Sequence, residues 1–354
     1  MGLPQINIIF KTKGLTAIKR SSRGIVAVIL KDDTEGGKTL NIYNSVLDVD
    51  FEHYTARNYE YLKLIYEGGP YKVIVLRMKT TDTSLSAALK QLAVVRWNYL
   101  TIPQLAEGDK TLVSAFIKEA RDKSHKTFKA VLAECVGDHE GIINFTTDNI
   151  QSTLSATKFS AAEYCARIAG VLAGLSLARS STYFVLSDIT SCDLKDDPDD
   201  CIDKGQLIIA FDSEDYKIGR GVNSLTTFTA EHGEEFSKIK IMEGVDLYQD
   251  DIRSTFEGSY VGKVINDYDN KQAFVAAVRA YQKALEGDVL DRSYDNMAEI
   301  DLEAQRLYIE GKGIDVDDLD DVEIAKYNTG SHVFLASHVK FVDAMEDLDL
   351  VCNM

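Results

Sequence analysis

The chain has 354 residues, of which 45% are hydrophobic and 27% charged, and this composition is typical of a folded protein with two or three domains. The formal net charge of −17 argues against a general nucleic-acid binder, because phosphate contacts need a basic surface. The N-terminus lacks the long apolar core of a secretory signal, and no apolar run approaches membrane-spanning length. We therefore expect neither secretion by that route nor insertion into a membrane.

The cysteine pattern is that of a reducing compartment. An odd number of cysteines is spread widely along the chain, which favours free thiols in the cytoplasm over a disulfide framework. The five positions are Cys135, Cys165, Cys192, Cys201 and Cys352.

The first predicted element is a short strand at residues 5–12, which has few partners nearby in the sequence. Its apolar side chains are Ile6, Ile8 and Phe10, and the basic residues Lys11 and Lys13 follow closely. Residues 1–23 contain five basic residues and no acidic one. This segment is therefore predicted to be a basic strand that needs a partner from elsewhere.

Residues 24–186 alternate between strand and helix patterns, which predicts a three-layer α/β domain. The predicted strands are 24–30, 39–43, 71–78, 97–103, 127–135, 141–146 and 182–186. The predicted helices are 56–66, 84–92, 109–123 and 160–178. In the last of these, Ser160 and Glu163 have capping-box spacing, and its small residues, including Gly170 and Gly174, favour close packing against a sheet.

The following third of the chain has a mixed pattern after an acidic loop at residues 193–203. We predict strands at 206–212 and 236–242, and a strand pair formed by 216–222 and 225–229. Helices are predicted at 247–260, 270–286 and 298–311, and an acidic loop at 315–323. Strands and helices are less regularly interleaved here, which gives this region α+β character.

The last twenty-four residues are predicted to form two strands separated by a bend. Val333, Leu335, Val339 and Phe341 alternate with polar or small residues, as in a half-buried strand. The alternation slips at residues 343–347 and then resumes in the other phase. A slip of one residue moves every side chain to the opposite face, so one continuous strand is disfavoured. The resumed pattern comprises Leu348, Leu350 and Cys352.

The two ends of the chain carry opposite charge. From residue 341 onwards there are four acidic residues and no basic one, namely Asp343, Glu346, Asp347 and Asp349. The basic first segment and the acidic last segment are therefore expected to meet. They can meet within one chain, or between copies by strand addition to an open sheet edge.

One glycine-rich segment resembles a phosphate-binding loop but departs from the pattern. Gly36, Gly37, Lys38 and Thr39 follow a buried strand, yet Asp32 stands where such a loop needs its first glycine. A strand rather than a helix is predicted after Thr39, so no helix N-terminus faces the loop. We favour a hairpin turn, and a nucleotide site is the alternative.

Other motifs give weak indications of chemistry. Arg220 and Asn223 are candidates to hold an anion, with a tight turn in which Asn223 bonds to backbone as the favoured alternative. The acidic runs 196–203 and 315–321 lack the central glycine and closing glutamate of a calcium loop, so solvated loops are favoured over weak calcium sites. The sequence contains no HExxH, CxxC or GxSxG motif. We therefore expect no catalytic, metal or cofactor site.

Four segments resemble contractile phage tail sheath proteins, of the small type found in defective-phage elements and in R-type bacteriocin or diffocin particles. Residues 1–10 resemble the N-terminal arm of these proteins, and residues 341–346 resemble their C-terminal strand. Two internal segments, 218–227 and 260–271, resemble family signatures. The signature residues are Arg220, Gly221, Asn223 and Leu225 in the first segment and Gly262, Lys263 and Asn266 in the second.

The resemblance implies an α/β fold with α+β character at the C-terminus, in which a three-layer sheath core carries extended N- and C-terminal strand arms. The implied divisions are an N-terminal arm at 1–22, a β-rich subdomain at 23–95, an α/β subdomain at 96–204, a C-terminal sheath domain at 205–342 and a C-terminal arm at 343–354.

The function implied is structural and not enzymatic, with no cofactor. Such subunits stack as hexameric rings around a tail tube, exchange terminal strands and contract to drive the tube through a cell envelope. The implied partners are other copies of the chain, the tube protein, and baseplate and tail terminator proteins, with neither nucleic acid nor membrane. Assembly is expected in the cytoplasm of a bacterial host, before release in a virion or bacteriocin particle.

The residues expected to take part in strand exchange belong to the two arms. They are Ile6, Ile8, Phe10, Lys11 and Lys13 at one end and Asp343, Glu346, Asp347, Leu348, Leu350 and Cys352 at the other. Two alternatives stay open at this point. One is a different ring component of the tail or baseplate, and the other is a cytoplasmic α/β enzyme that binds phosphate.

Overall fold

The computed structural model describes residue 18, residues 23–82 and residues 84–353. The chain divides into two compact units. One comprises Ser21–Asp250 and Phe341–Met354, and we call it the α/β unit. The other comprises Met1–Arg20 and Asp251–Lys340, and we call it the helical unit. The strand predicted at residues 5–12 lies outside the described residues.

The α/β unit is built on a seven-stranded sheet in which parallel pairing dominates. The spatial order of its strands is β2-β3-β1-β4-β5-β6-β9, and only the edge strand β2 is antiparallel to its neighbour. These strands are β1 (Ile25–Lys31), β2 (Leu40–Tyr43), β3 (Lys72–Met78), β4 (Tyr99–Thr101), β5 (Lys129–Ala133), β6 (Ile142–Phe145) and β9 (Gln206–Leu207). Two antiparallel pairs complete the unit, β7 (Asp148–Ser152) with β8 (Ile189–Asp193) and β10 (Ile209–Phe211) with β11 (Tyr216–Ile218).

Helices cover both faces of this sheet, which confirms the predicted three-layer α/β fold. Helices α1 (Ala56–Glu67) and α4 (Ala161–Gly174) lie on one face, and α2 (Leu85–Leu92) and α3 (Lys110–Asp122) on the other. Alternate side chains of β1 enter the two cores, Val26 and Val28 on one face and Ala27 and Ile29 on the other. Because both faces are buried, the strand reads as a continuous apolar run.

Helix α4 begins as predicted and packs more closely than predicted. The Ser160–Glu163 capping box forms in both directions. The small residues of α4 lie against α1 as well as against the sheet: a Cβ on Gly170 would lie 2.1 Å from the carbonyl oxygen of Ile65. A Cβ on Gly174 would lie 2.0 Å from that of Gly68. Only glycine therefore permits this approach of the two helices.

A buried network of charges joins the first half of α6 (Ile239–Ser259) to the sheet. Glu243 forms ion pairs with Arg23 at 2.9 Å and with Lys129 at 2.7 Å, and it accepts a hydrogen bond from the Tyr99 hydroxyl at 2.6 Å. Asp246, which is fully buried, pairs with Lys129 and with Arg121. Burial alone would raise the pKa of Glu243, but the charges of Lys129 and Arg23 outweigh it and lower the pKa to about 2.

The helical unit contains helices around a small antiparallel sheet. Its strands are β12 (Met297–Ile300) and β13 (Leu335–His338), and its helices are α7 (Tyr268–Leu285), α8 (Leu302–Glu310) and α9 (Asp321–Lys326), with the last residues of α6. Ala298 from β12 packs against Phe274 and Val278 of α7. Among the described residues of the whole chain, no helix is both long and apolar enough to cross a membrane.

Several local predictions were wrong in the second half of the chain. Residues 236–242 do not form a strand: they contain the end of a short 3-10 helix (Glu234–Ser237) and the first turn of α6, because a short apolar run does not distinguish helix from strand by periodicity. Residues 298–311 are not one helix: β12 occupies the first positions and α8 the rest. Strand β11 pairs with β10 rather than with residues 225–229. Residues 182–186 contribute only one bridge, from Val185 to Lys217.

Candidate functional site

The small sheet of the helical unit consists of two strands in the described part of the chain. Strands β12 and β13 pair in antiparallel register from Met297 opposite His338 to Ile300 opposite Leu335. In the part of the chain that the structure describes, each of these strands pairs only with the other. Neither has a second strand neighbour among those residues, and on β12 the carbonyl oxygens of Met297 and Ala298 accept hydrogen bonds from the side chains of Gln282 and Arg279 of α7.

The second signature segment shapes the chain before β13. The Asn266 side-chain amide donates hydrogen bonds to the carbonyl oxygens of Gly330 and His332, both at 2.8 Å. Gly262, with φ of +68°, forms the turn after α6 in a backbone conformation that favours glycine. The Lys263 ammonium bonds to the carbonyl oxygen of Gly258, near the C-terminal end of α6. Asn266 thus supports the chain that leads into β13, while Gly262 and Lys263 lie at the end of α6.

A cleft of about 350 Å³ lies beside this support in the helical unit. Phe256, Tyr260, Phe274 and Asn266 are among the residues that line it. Ile18 packs against the apolar cluster that includes Phe274. The predicted strand-exchange residues Ile6, Ile8, Phe10, Lys11 and Lys13 lie outside the described residues.

The C-terminal arm, residues 341–354, belongs to the α/β unit and is held there by its acidic residues. The Glu346 carboxylate accepts hydrogen bonds from the hydroxyls of Ser180 at 2.8 Å and Thr182 at 2.6 Å. Arg220 lies 3.6 Å from Glu346 and 2.5 Å from Asp347. We call residues 343–347 the arm base.

A second cation holds the start of the arm base. The Lys238 ammonium forms an ion pair with Asp343. The hydrogen bond and the charge of Asp343 raise the pKa of Lys238, against the opposing charge of Arg220. Just before the arm base, the ring of Phe341 meets that of Tyr248 edge-on at 6.3 Å. The base is therefore attached at several points along its length.

The arm tip, residues 348–354, has different surroundings. Leu348, Leu350 and Val351 are 84%, 74% and 81% exposed, and Cys352 is exposed as well. The second strand predicted here is wrong for the single chain, since its described residues adopt no regular structure. A strand needs a neighbour for its backbone hydrogen bonds, and this segment has none of the described strands beside it. The tip is therefore an apolar segment whose large side chains are exposed.

The first signature segment forms a turn that contacts the arm base. Asn223 bonds to backbone, as the turn interpretation predicted: its side chain donates to the carbonyl oxygen of Phe236 at 2.6 Å and accepts from the Leu225 amide at 2.9 Å. Gly221 donates its amide hydrogen to the Thr182 hydroxyl at 2.9 Å. The anion that Arg220 binds is the carboxylate pair of its own chain.

The other candidate sites show ordinary structural roles. Thr39 is followed by β2 and not by a helix, so Gly36–Thr39 lacks the helix N-terminus of a phosphate loop. The Asp32 carboxylate lies just after the C-terminal end of β1. It accepts hydrogen bonds from the backbone amides of Thr34 and Thr55 and from the side-chain amide of Asn58. The acidic runs supply helix caps, Asp197 for α5 (Pro198–Asp203) and Asp320 for α9. Over residues 23–82 and 84–353, no group of three or more metal-ligating side chains occurs.

Sequence reasoning selected Arg220 and the acidic arm residues separately but did not place them together. It missed Lys238, Ser180 and Thr182 altogether. One signal was available: a C-terminal segment with four acidic and no basic residues needs cations from elsewhere, and a signature arginine is a natural source. Hydroxyl partners such as Ser180 leave no comparable pattern in a sequence.

Three comparisons relate the chain to known proteins. Residues 231–354 match the family model described as the phage tail sheath C-terminal domain. The tail sheath protein of Clostridium phage phiCD119 is 37% identical over 364 residues, covering 100% of this chain and 99% of that protein. A protein of the phage-like element PBSX of Bacillus subtilis is 32% identical over 155 residues, covering 42% of this chain and 33% of that protein.

Solved structures show the same fold at low sequence identity. The sheath tail protein of Desulfitobacterium hafniense aligns with a TM-score of 0.69 and 16% identity, over 84% of this chain and 94% of that one. The helical sheath of the anti-feeding prophage in its contracted state aligns with a TM-score of 0.71 and 14% identity, over 100% and 99% of the two chains.

Proposed function

The chain belongs to the phage tail sheath protein family and is a subunit of a contractile sheath, and on this premise we propose that its terminal arms join neighbouring copies by strand exchange. In this proposal the arm tip of one copy adds a strand to the β12–β13 sheet of another. The N-terminal segment, with Ile6, Ile8 and Phe10, adds a further strand to the same kind of sheet. Asp349 of the arm tip and the lysines Lys11 and Lys13 of the N-terminal segment contribute charge complementarity.

One observation supports this proposal: an exposed apolar tip occurs in the same chain as a sheet that has only two strands among the described residues. Burying a leucine stabilises by about 1.5–3 kcal/mol, so the exposed Leu348 and Leu350 favour association. Ordering the tip backbone opposes this by roughly 1–2 kcal/mol for each residue. A single exchange is then weak, and many exchanges along a lattice together hold the copies.

The finer features of the assembly follow the family resemblance. We propose stacked hexameric rings around a tail tube, with contraction that drives the tube through a target envelope and needs no bound cofactor. The tube protein, baseplate proteins and a tail terminator are the proposed partners. Assembly is proposed to occur in the cytoplasm of a bacterial host. The finished particle is then a phage tail or a bacteriocin.

Substitutions in the arm tip test the proposal. Leu350→Pro removes a backbone donor that a paired strand needs, whereas Leu350→Val keeps both the donor and an apolar side chain. We expect negative-stain microscopy to show tubes with the unchanged chain and with Leu350→Val, and none with Leu350→Pro. Since the tip is exposed in the single chain, all three should unfold at the same temperature. Tubes formed by Leu350→Pro would contradict strand donation, and closed single rings from the unchanged chain would indicate a different tail component.

A further inference from the structure

The first signature segment fixes two cations near each other. Val222 pairs with Lys238 in an antiparallel bridge. On either side of it, the Asn223 amide donates to the Ser237 carbonyl oxygen at 2.8 Å and the Ile239 amide donates to that of Gly221 at 2.9 Å. Backbone hydrogen bonds therefore hold the main chain of Arg220 and the main chain of Lys238 close to each other.

Gly221 also brings this pair of cations against two hydroxyls. A Cβ on Gly221 would lie 2.4 Å from the Ser181 hydroxyl oxygen, so a larger residue would push the two segments apart. The turn that carries Ser180 and Thr182 is itself held by the Tyr183 amide, which donates to the Ile218 carbonyl oxygen at 2.8 Å. Two cations and two hydroxyl donors thus face one place on the surface.

This arrangement suits an acidic peptide segment. Like charges held near each other repel, and carboxylates between them relieve the repulsion. Glu346 is the best enclosed of the arm carboxylates, with a side chain only 9% exposed, and it meets both hydroxyls and Arg220. Asp343 and Asp347 pair with the cations on either side of it. Both the ion pairs and the hydrogen bonds of this place on the surface are therefore made with the arm base.

We propose that Arg220, Lys238, Ser180 and Thr182 form a clamp that holds the arm base on its own chain, so that only the arm tip is donated to a neighbour. In the clamp, the residues of the first signature segment share one structural role. Arg220 and Lys238 bind the base, while Gly221 and Asn223 position them. A fixed base restricts the directions in which the tip leaves the chain, which reduces the entropy lost when it pairs. The destination of the tip rests on the proposed strand exchange, whereas the clamp itself does not.

A nitroxide label on the arm base tests the clamp in the full chain. Met345→Cys places the label on a fully exposed position, with Cys192, Cys201 and Cys352 replaced by serine. Arg220→Gln and Glu346→Gln are compared with the matched control Lys204→Gln, which removes a cation of an exposed ion pair elsewhere in the α/β unit. Spectra are recorded below the concentration at which tubes form.

We expect both clamp variants to free the label and to raise the critical concentration for tube formation by roughly tenfold, as when a preorganised segment becomes free. The control should change neither quantity. The double variant Arg220→Gln/Glu346→Gln should free the label at least as much as either single one, because Arg220 also pairs with Asp347 and Glu346 also bonds to Ser180 and Thr182.

Two outcomes would overturn the clamp: an immobile label in Arg220→Gln, or a freed label with an unchanged critical concentration. The clamp and strand donation can be contradicted independently of each other. If Leu350→Pro forms tubes, strand donation is wrong while the label still decides whether the base is held. If the label is unaffected and Leu350→Pro blocks tubes, the clamp is wrong and strand donation stands.

Discussion

Glu346 and Asp347 are adjacent carboxylates that differ sharply in their surroundings. The Glu346 side chain is 9% exposed and bonded to two hydroxyls, while that of Asp347 is 79% exposed. An exposed ion pair contributes about 0–1 kcal/mol, but a buried carboxylate that loses its partners costs about 1–3 kcal/mol or more. The attachment of the arm base therefore depends mainly on Glu346. Its partner Arg220 lies 126 positions earlier, counting from 220 to 346, a separation that no local pattern in a sequence reveals.

The buried network around Glu243 predicts a loss of stability in acid. Its pKa is lowered from 4.5 to about 2, so the folded chain binds fewer protons than the unfolded chain between those values. The stabilisation is complete above about pH 4.5 and is lost as the pH falls towards 2. Urea unfolding at pH 7, 4, 3 and 2.5 measures it. Glu243→Gln should lower the free energy of unfolding at pH 7 by about 3 kcal/mol and make the loss below pH 4 shallower. An unchanged acid profile in Glu243→Gln would show that this carboxylate is not responsible.

At the scale of elements, the two strands proposed to receive the arm tip are the hardest to predict. Strand β12 is four residues long, and its alternating burial, with Ala298 and Ile300 inside, is too short to separate from the helix that follows. The sheet of the α/β unit was easier, because its parallel strands are continuous apolar runs such as β1. Sequence patterns thus predicted the sheet–helix layers and missed the partner of β13.

Two glycine substitutions are expected to change the free energy of unfolding differently, one at the contact between α1 and α4 and the other at an open position of α6. Gly170→Ala places a methyl group against the backbone of Ile65 and should lower the free energy of unfolding by about 1–3 kcal/mol. Gly258→Ala, in α6 with nothing within 4 Å of the added Cβ, should leave it unchanged or raise it by up to about 1 kcal/mol. Denaturant titration of both variants measures the difference. Equal effects would mean that the close approach of α1 and α4 does not restrict residue 170.

For the whole molecule, the sequence and the structure account for different parts of the function. The family signatures and the charge of the two ends indicated a sheath subunit, and the comparisons confirm it. The boundaries at residues 22, 95, 204 and 342 and the exchange residues of the arms stay predictions. In the proposed exchange, a donated strand acquires its structure only from the copy that receives it, which is consistent with the exposed tip of the single chain.

The most direct measurement of strand exchange is the identity of the residues next to the arm tip in assembled particles. A benzophenone attached to Cys352, in a chain with Cys192 and Cys201 replaced by serine, is activated in particles built from equal amounts of isotopically heavy and light chains. We predict heavy–light cross-links from Cys352 to residues 297–300 or 335–338, the positions of β12 and β13. Cross-links confined to chains of one isotope, or to the α/β unit, would contradict strand exchange.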